Sequence, residues 1–412
     1  MKILLGLFGM SCLLALAWGL SKNRRSINWR TVGGAFLMQV GIGALVLYVP
    51  IGKSLLASFS HGVQDVISFA HEGTAFLFGS VGTPKTLGFI FAFHVLPTII
   101  FFASLMAVLY HLKIMPLIIN TLGGGLRRLL GTSRAESLSA TANIFVGMTE
   151  APLVVRPFVA RMSESELFAL MVGGLASVAG SVLSGYVEMG VDLNYLIAAS
   201  FMAAPGGLLM AKIMLPETGK NTDATLSGTR TEQEDDKPAN VLDAAAQGAS
   251  NGLMLAANIG AMLLAFTALI AMVNGMLGGI GDLFGFANHS LDIILGYLFA
   301  PIAWILGVPL AEIQQAGSLI GEKLAMNEFI AFQSFTAVKE TLSAHTQAIV
   351  TFALCGFANF SSLAILLGGI AVMAPQRRPD IARLGLRAVI AASLANFMSA
   401  AIAGLFLTIS AV

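Results

Sequence analysis

"GMTEAPLVVRP", residues 147–157, sets a carboxylate, a hydroxyl, two prolines and an arginine within eleven positions of a chain that is otherwise strongly apolar. Of its 412 residues 56% are hydrophobic and 11% charged, and the mean hydropathy is +0.83. No soluble core requires that much apolar surface, so the chain is an integral membrane protein in a lipid bilayer. Apolar runs of about 20 residues, the length that crosses a bilayer, fall near 3–20, 33–51, 88–110, 164–187, 194–214, 254–280, 346–374 and 386–410. They are helices, because a backbone facing lipid has to satisfy its own hydrogen bonds. The 44 glycines suit closely packed or broken membrane helices. A net charge of +1 gives no sign of a nucleic-acid partner.

Lys22, Arg24, Arg25 and Arg30 follow the first run directly. Basic residues there resist translocation, so the run is a retained span rather than a cleaved signal, and the N-terminus faces outward. His111, Lys113, Arg127, Arg128 and Arg134 after the third span fall on the same cytoplasmic side, as do Arg377, Arg378, Arg383 and Arg387 after the seventh. The apolar stretch 292–310 would carry those last four arginines outside if it were a ninth span, so it reads as interfacial or partly inserted. The polar stretch 216–240 reads as a mobile cytoplasmic linker. Cys12 and Cys355 read as small buried hydrophobes. The histidines at 61, 71, 94, 111, 289 and 345 have no metal-ligand spacing.

The chain resembles itself across that linker. "LLGTSRAES" at 129–137 and "ILGVPLAEI" at 305–313 share L-G-x-x-x-A-E, and M-x-E follows each, at Met148-Thr149-Glu150 and Met326-Asn327-Glu328. A Gly-rich apolar segment then comes in both, "GGLASVAGSVLSG" (173–185) and "CGFANFSSLAILLGG" (355–369). Charge counting gives the two units opposite orientations, which makes an inverted repeat of the kind that builds secondary transporters. The stretches 132–160 and 308–336 are too polar at their centres to span and too apolar for free loops, so they read as re-entrant hairpins. Pro152 and Pro157 break any continuous helix in the first of them.

A carboxylate at bilayer depth costs at least roughly 2.5 kcal/mol, so Glu150 and Glu328 need partners or a substrate. Ion pairing is the structural alternative, Glu150 with Arg156 or Arg161 and Glu328 with Lys323. Asn143 and Ser177 in the first unit and Asn359, Ser361 and Ser362 in the second occupy related ground. A lone Ser or Asn there is packing glue, but several in symmetry-related places point to a site.

Together "NIFVGMTEAPLVVRPF", "GGLASVAG", "MNEFIAF" and "FALCGFANFSSLAILLGG" resemble the concentrative nucleoside transporters, closely the bacterial sodium-coupled members, over essentially the whole chain. The resemblance implies an all-α polytopic fold: eight transmembrane helices and two re-entrant hairpins in an inverted-repeat, elevator-type carrier, assembled as a homotrimer in the bacterial inner membrane with both termini periplasmic. It implies scaffold helices and an interfacial segment over 1–112 and a first transport unit over 113–215. A linker over 216–245, scaffold helix 6 over 246–288 and a second transport unit over 289–412 follow. Nucleoside would meet Thr149 and Glu150 at its base and Glu328, Asn359 and Ser362 at its ribose, between apolar walls from Val182, Leu255 and Phe357. Sodium would be held by Asn143 and Ser177 with backbone carbonyls of Val146, Ser177 and Val178. Met148 stands where many relatives place Gln, an amide that can bond a pyrimidine edge, so a tilt towards purine nucleosides is expected.

The function predicted is sodium-coupled nucleoside import, with Na⁺ co-transported and no other cofactor. The variants are proton coupling through Glu150 or Glu328, and an elevator-type carrier of another small polar solute. Enzymes are disfavoured: "GIGD" at 279–282 spells an intramembrane-protease motif but no Tyr-Asp partner lies in another span, and the intramembrane acids are too isolated to hold Mg²⁺. A channel on the same repeat is separated by saturable, Na⁺-gradient-dependent uptake.

Overall fold

A computed structural model describes residues 2–82, 88–219, 238–283 and 290–410, and among them there is no β-strand. Most of the predicted linker, 220–237, lies outside the described residues, as do His289 and the side chain of Asp282. The chain opens with α1 (Lys2–Gly19), α2 (Trp29–Leu47) and α3 (Pro50–Phe78), followed by α4 (Phe91–His111) and α5 (Ile114–Leu130). Then come α6 (Arg134–Ala142), the one-turn helices α7 (Ala151–Val154) and α8 (Arg156–Val159), α9 (Glu164–Ala176), α10 (Gly180–Glu188) and α11 (Leu193–Met214). After the linker lie α12 (Val241–Leu283), α13 (Leu291–Ile305), α14 (Ile313–Ala325), α15 (Glu328–Val338), α16 (Ala344–Leu354), α17 (Phe360–Met373) and α18 (Arg378–Ser410).

Among the described residues six spans are long and apolar enough to cross a membrane: α2, α4, α9 with α10, α11, α12 and α18. The 18-residue α1 and the pair α16–α17, interrupted at 355–359, supply the other two of the eight expected. At 15 residues α13 is too short to cross, and it lies tightly along α14 through Gly296, Gly317 and Gly321. Helix α3 carries Lys53, His61, Asp65, His71 and Glu72 along its length, so it is amphipathic and does not read as a span.

Local sequence sets many of the boundaries. Ser133 and Glu136 close a capping box at the start of α6, and Ser163 and Glu166 do the same for α9. Pro152 and Pro157 each sit in the first turn of a one-turn helix, so the first hairpin returns as two short steps. The repeated glycines of the L-G-x-x-x-A-E motif both take left-handed backbone, Gly131 at φ +68 and Gly307 at φ +98, where a side chain would be strained. Each ends the helix before a hairpin. The shared glutamates anchor both hairpins: Glu136 pairs with the buried Lys212, and Glu312 accepts from Ser343 N and Oγ at the start of α16.

Hairpin α6–α8 followed by broken helix α9–α10 and α11 is thus repeated as hairpin α14–α15, broken helix α16–α17 and α18. One core runs through both units and takes in buried residues of α1, α2, α4 and α5. The first two helices join them, α2 along α11 and α18 and α1 along α18, whereas α4 pairs with α12 through Gly248 and Gly252. Residues read as cytoplasmic converge at one end. Lys22 binds Glu164 at 3.0 Å, Arg383 binds the same carboxylate at 2.8 Å, and Arg377 donates to Met162 O. Gly6 lies beside Leu405, so the two termini share the other end.

Candidate substrate and ion site

Both broken helices stop because polar backbone is needed where they meet. Ser177, after α9, is extended at φ −103 and ψ 172, and its carbonyl accepts from Phe357 N at 3.2 Å, in the break between α16 and α17. The first hairpin joins the same place, since Phe145 O accepts from Gly180 N at 3.0 Å. The two breaks and the first hairpin are therefore stitched together by main-chain bonds at the centre of the molecule, where carbonyls freed from helices are tolerated because protein surrounds them.

Glu328 occupies the first position of α15, just after the second hairpin's tip, and is only 4% exposed. Its Oε2 accepts from Asn359 Nδ2 at 2.8 Å and its Oε1 from Tyr186 OH at 3.2 Å. Asn359 is the N-cap of α17: its Oδ1 accepts from Ser362 N at 2.7 Å and from Ser361 Oγ at 2.8 Å. Tyr186, on α10 one turn after the buried Val182, is wedged between the rings of Phe329 and Phe332 at 4.8 and 4.5 Å. One carboxylate is thus held by both units, with hydroxyl and amide groups beside it. A carboxylate so ordered is an acceptor for paired hydroxyls.

On the first hairpin, Thr149 and Glu150 are exposed, and Glu150 accepts a long 3.4 Å bond from Gly147 N. Thr149 Cγ2 lies 3.2 Å from where a Cβ would stand on Gly369, which sets the tip against α17. Met148 is buried against Gly174 of α9 rather than open like its neighbours. Neither ion-pair alternative forms: Arg156 and Arg161 are exposed and unpaired with Glu150, and Lys323 turns to Ala353 O and Asn396 instead of Glu328. Phe357 is buried at the second break, while Leu255 is half-buried on α12. The segments that carry the expected ion ligands meet where Gly180 N donates to Phe145 O and Gly173 lies against the Asn143 amide. Asn143, Val146, Ser177 and Val178 are all buried, and neither Nδ2 nor Oδ1 of Asn143 has a hydrogen-bond partner. A buried amide left wholly unpaired costs about 1–3 kcal/mol per group unless something fills the space, and a hard cation suits the oxygen.

Three groups escaped the sequence reading: Tyr186, Asn396 and the hydrogen-bonding role of Lys323. Each is a single polar tip in an apolar or mixed helix, where pattern alone reads packing. Among the described residues no group of His, Cys, Asp and Glu is arranged to hold a metal. Cys12 and Cys355 are free thiols, the latter buried in the second break.

An inverted pair of hairpins and broken helices enclosing a polar midplane site defines a secondary carrier. Models for the N- and C-terminal parts of the Na⁺-dependent nucleoside transporter match residues 8–81 and 195–404, and a model described as nucleoside recognition matches 92–192. The chain is 54% identical to an uncharacterized transporter of Haemophilus influenzae, covering 100% of this chain and 99% of that protein. It is 50% identical to nucleoside permease NupC of Helicobacter pylori, with 99% of each covered. Against sodium/nucleoside cotransporter 1 of Rattus norvegicus it is 36% identical, covering 96% of this chain and 63% of the relative. CNTnw in an inward-facing substrate-bound state superposes with a TM-score of 0.95 at 55% identity, covering 100% of this chain and 99% of the other. A doubly substituted CNTnw in an outward-facing state gives 0.97 at 56%, with 100% of each chain covered. The chain belongs to the Na⁺-dependent nucleoside transporter family. It is a sodium-coupled nucleoside symporter and not an enzyme, with Na⁺ as the co-transported ion.

Proposed function

We propose that this symporter imports nucleosides into the cytoplasm, with a tilt towards purines, and that its site is the one described above. Glu328, Asn359 and Ser362 receive the ribose, Thr149 and Glu150 the base, and Val182, Leu255 and Phe357 the apolar walls. Sodium sits at Asn143 and Ser177 with the carbonyls of Val146, Ser177 and Val178. The observation that carries this reading is the Glu328 carboxylate shared by Tyr186 of one unit and Asn359 of the other. The unpartnered Asn143 amide supports the ion site.

Sodium at Asn143 orders the first hairpin's tip, which carries Thr149 and Glu150, so ion and substrate assist each other reciprocally. One Na⁺ entering down roughly 100 mV gains about 2.3 kcal/mol, and a tenfold gradient adds about 1.4 kcal/mol. At one-to-one coupling the total, about 3.7 kcal/mol, sustains roughly 500-fold accumulation.

The transport units 113–215 and 289–412 move as an elevator past the scaffold, joined through 216–245, with 246–288 as a scaffold helix. Packing of α1 and α2 on α11 and α18 supports moving these helices with the repeats rather than with the rest of 1–112. The assembly is a homotrimer in the inner membrane with both termini periplasmic. The apolar face of α3, with Ile51, Leu55, Phe59 and Phe69 exposed, is offered as part of its interface.

The test is uptake of labelled adenosine and uridine into proteoliposomes with and without an inward Na⁺ gradient. Gradient-dependent accumulation with adenosine preferred is expected. Because Met148 is buried, its effect on the base passes through packing behind Thr149, and Met148→Gln raises uridine relative to adenosine uptake. An unchanged ratio removes Met148 from substrate choice.

A further inference from the structure

Lys323 is wholly buried, and it and Lys212 are the only buried lysines among the described residues. Lys212 is accounted for at the cytoplasmic end by Glu136 and Ser165. Among the described residues no carboxylate lies within ion-pair distance of Lys323, although Glu328 is within electrostatic reach. Its Nζ donates instead to Ala353 O and to Asn396 Oδ1, both at 2.8 Å.

Those two acceptors define what the charge does. Lys323 lies in the last turn of α14, and Ala353 is in the last turn of α16. Asn396, on α18, passes its other end to the last residue of α9, donating from Nδ2 to Ala176 O at 2.7 Å. The ammonium therefore sits on the last turn of α14, binds the carbonyl end of α16 directly and reaches that of α9 through the Asn396 amide, so one positive charge stands among helix ends that carry the negative end of a dipole. The first unit brings together the C-termini of α6 and α9, and the group it presents there is the neutral Asn143, whose amide is unpartnered. Corresponding hairpins thus meet corresponding helix ends, one with an amide that leaves room for a mobile cation and one with a cation tethered to the chain.

We infer that Lys323 is the second unit's built-in cation: it compensates the carbonyl end of α16 directly and that of α9 through Asn396, as Na⁺ does for the helix ends of the first unit, so nucleoside binding draws on one Na⁺ rather than two. Lys323 is a positioning residue in this scheme. It fixes the break that carries Phe357 and Asn359 and touches no substrate. The inference rests on the assignment of Na⁺ to Asn143, and the experiment separates the two.

Purified wild type, Lys323→Met, Lys323→Arg and Asn143→Ala are titrated with the better bound of adenosine and uridine over a Na⁺ series, in choline-balanced buffer. Wild type and Lys323→Arg are expected to show a Na⁺ order near one. In Lys323→Met a mobile ion takes the empty place, so the order rises to about two and half-saturating Na⁺ increases at least tenfold. An order that stays at one, or binding abolished at every Na⁺ concentration in a Met variant that elutes like wild type, overturns the inference. Lys323→Arg decides the matter even if the Met variant does not fold, because an affinity loss above a hundredfold in Arg would show that the charge is not what counts. Asn143→Ala raises half-saturating Na⁺ if the first site is assigned correctly. Unchanged Na⁺ dependence there refutes the sodium assignment without reference to Lys323.

Discussion

Asn359 does two jobs that substitution can separate. Alanine removes the 2.8 Å bond its Nδ2 gives to Glu328 together with the bonds its Oδ1 accepts from Ser362 N and Ser361 Oγ. Serine retains a capping oxygen for α17 but has no donor long enough for Glu328. Loss of an N-cap costs about 1 kcal/mol of stability, whereas a hydrogen bond to a charged group is worth about 1.5–3 kcal/mol. If the Glu328 contact pre-orders the ribose acceptor, Asn359→Ser weakens nucleoside binding by about 10- to 150-fold while melting changes little. Asn359→Ala binds comparably to the serine variant but is less stable by about a further 1 kcal/mol. Calorimetric titration at saturating Na⁺ and thermal unfolding in the same detergent measure the two effects. A double-mutant cycle adds the decisive arm: in a Glu328→Gln background, Asn359→Ser should cost less than about threefold. An equal cost in both backgrounds would refute the reasoning, because the energy would then not pass through the carboxylate.

Gly356 admits Asn396 between the two breaks; a Cβ there would stand 2.4 Å from Asn396 Oδ1 and 2.8 Å from Ala176 O. Gly356→Ala combines overpacking of about 1–3 kcal/mol with displaced hydrogen bonds. Its unfolding temperature should fall clearly in a thermal scan, and nucleoside binding should weaken at least tenfold. Wild-type melting would mean that the breaks are not held tightly at this point. Tyr186→Phe keeps the ring between Phe329 and Phe332 and removes only the donor to Glu328. About tenfold weaker nucleoside binding with an unaltered Na⁺ order is expected, and a change of Na⁺ order would place Tyr186 in the ion site instead.

Much of this arrangement is legible residue by residue because the bilayer penalises ambiguity. A run such as 194–214 has no stable fate but a helix, and the capping pairs Ser133–Glu136 and Ser163–Glu166 announce their helices within four residues. The repeat is visible for a related reason. Gly131 and Gly307 need left-handed backbone, and Glu136 and Glu312 need the chain ends they anchor, so the motif survives in both units. The helix α3 is less legible, since its polar residues dilute the apolar signal that marks a span.

By itself the sequence determined the solvent, the eight spans, the two hairpins and the candidate carboxylates, because these follow from transfer energies and helix periods acting over a few neighbouring residues. Only the tertiary structure decided which carboxylate meets which partner. Glu328 is held by Tyr186, 142 positions earlier, and Asn396 reaches Ala176 across 220 positions. It also turned Lys323 away from the acid five residues along its own hairpin, towards the carbonyl ends of other helices. The physical reason is that hydrogen bonds are short and directional, so a buried polar group is satisfied by whatever folding brings within about 3 Å, and no local pattern records what that will be.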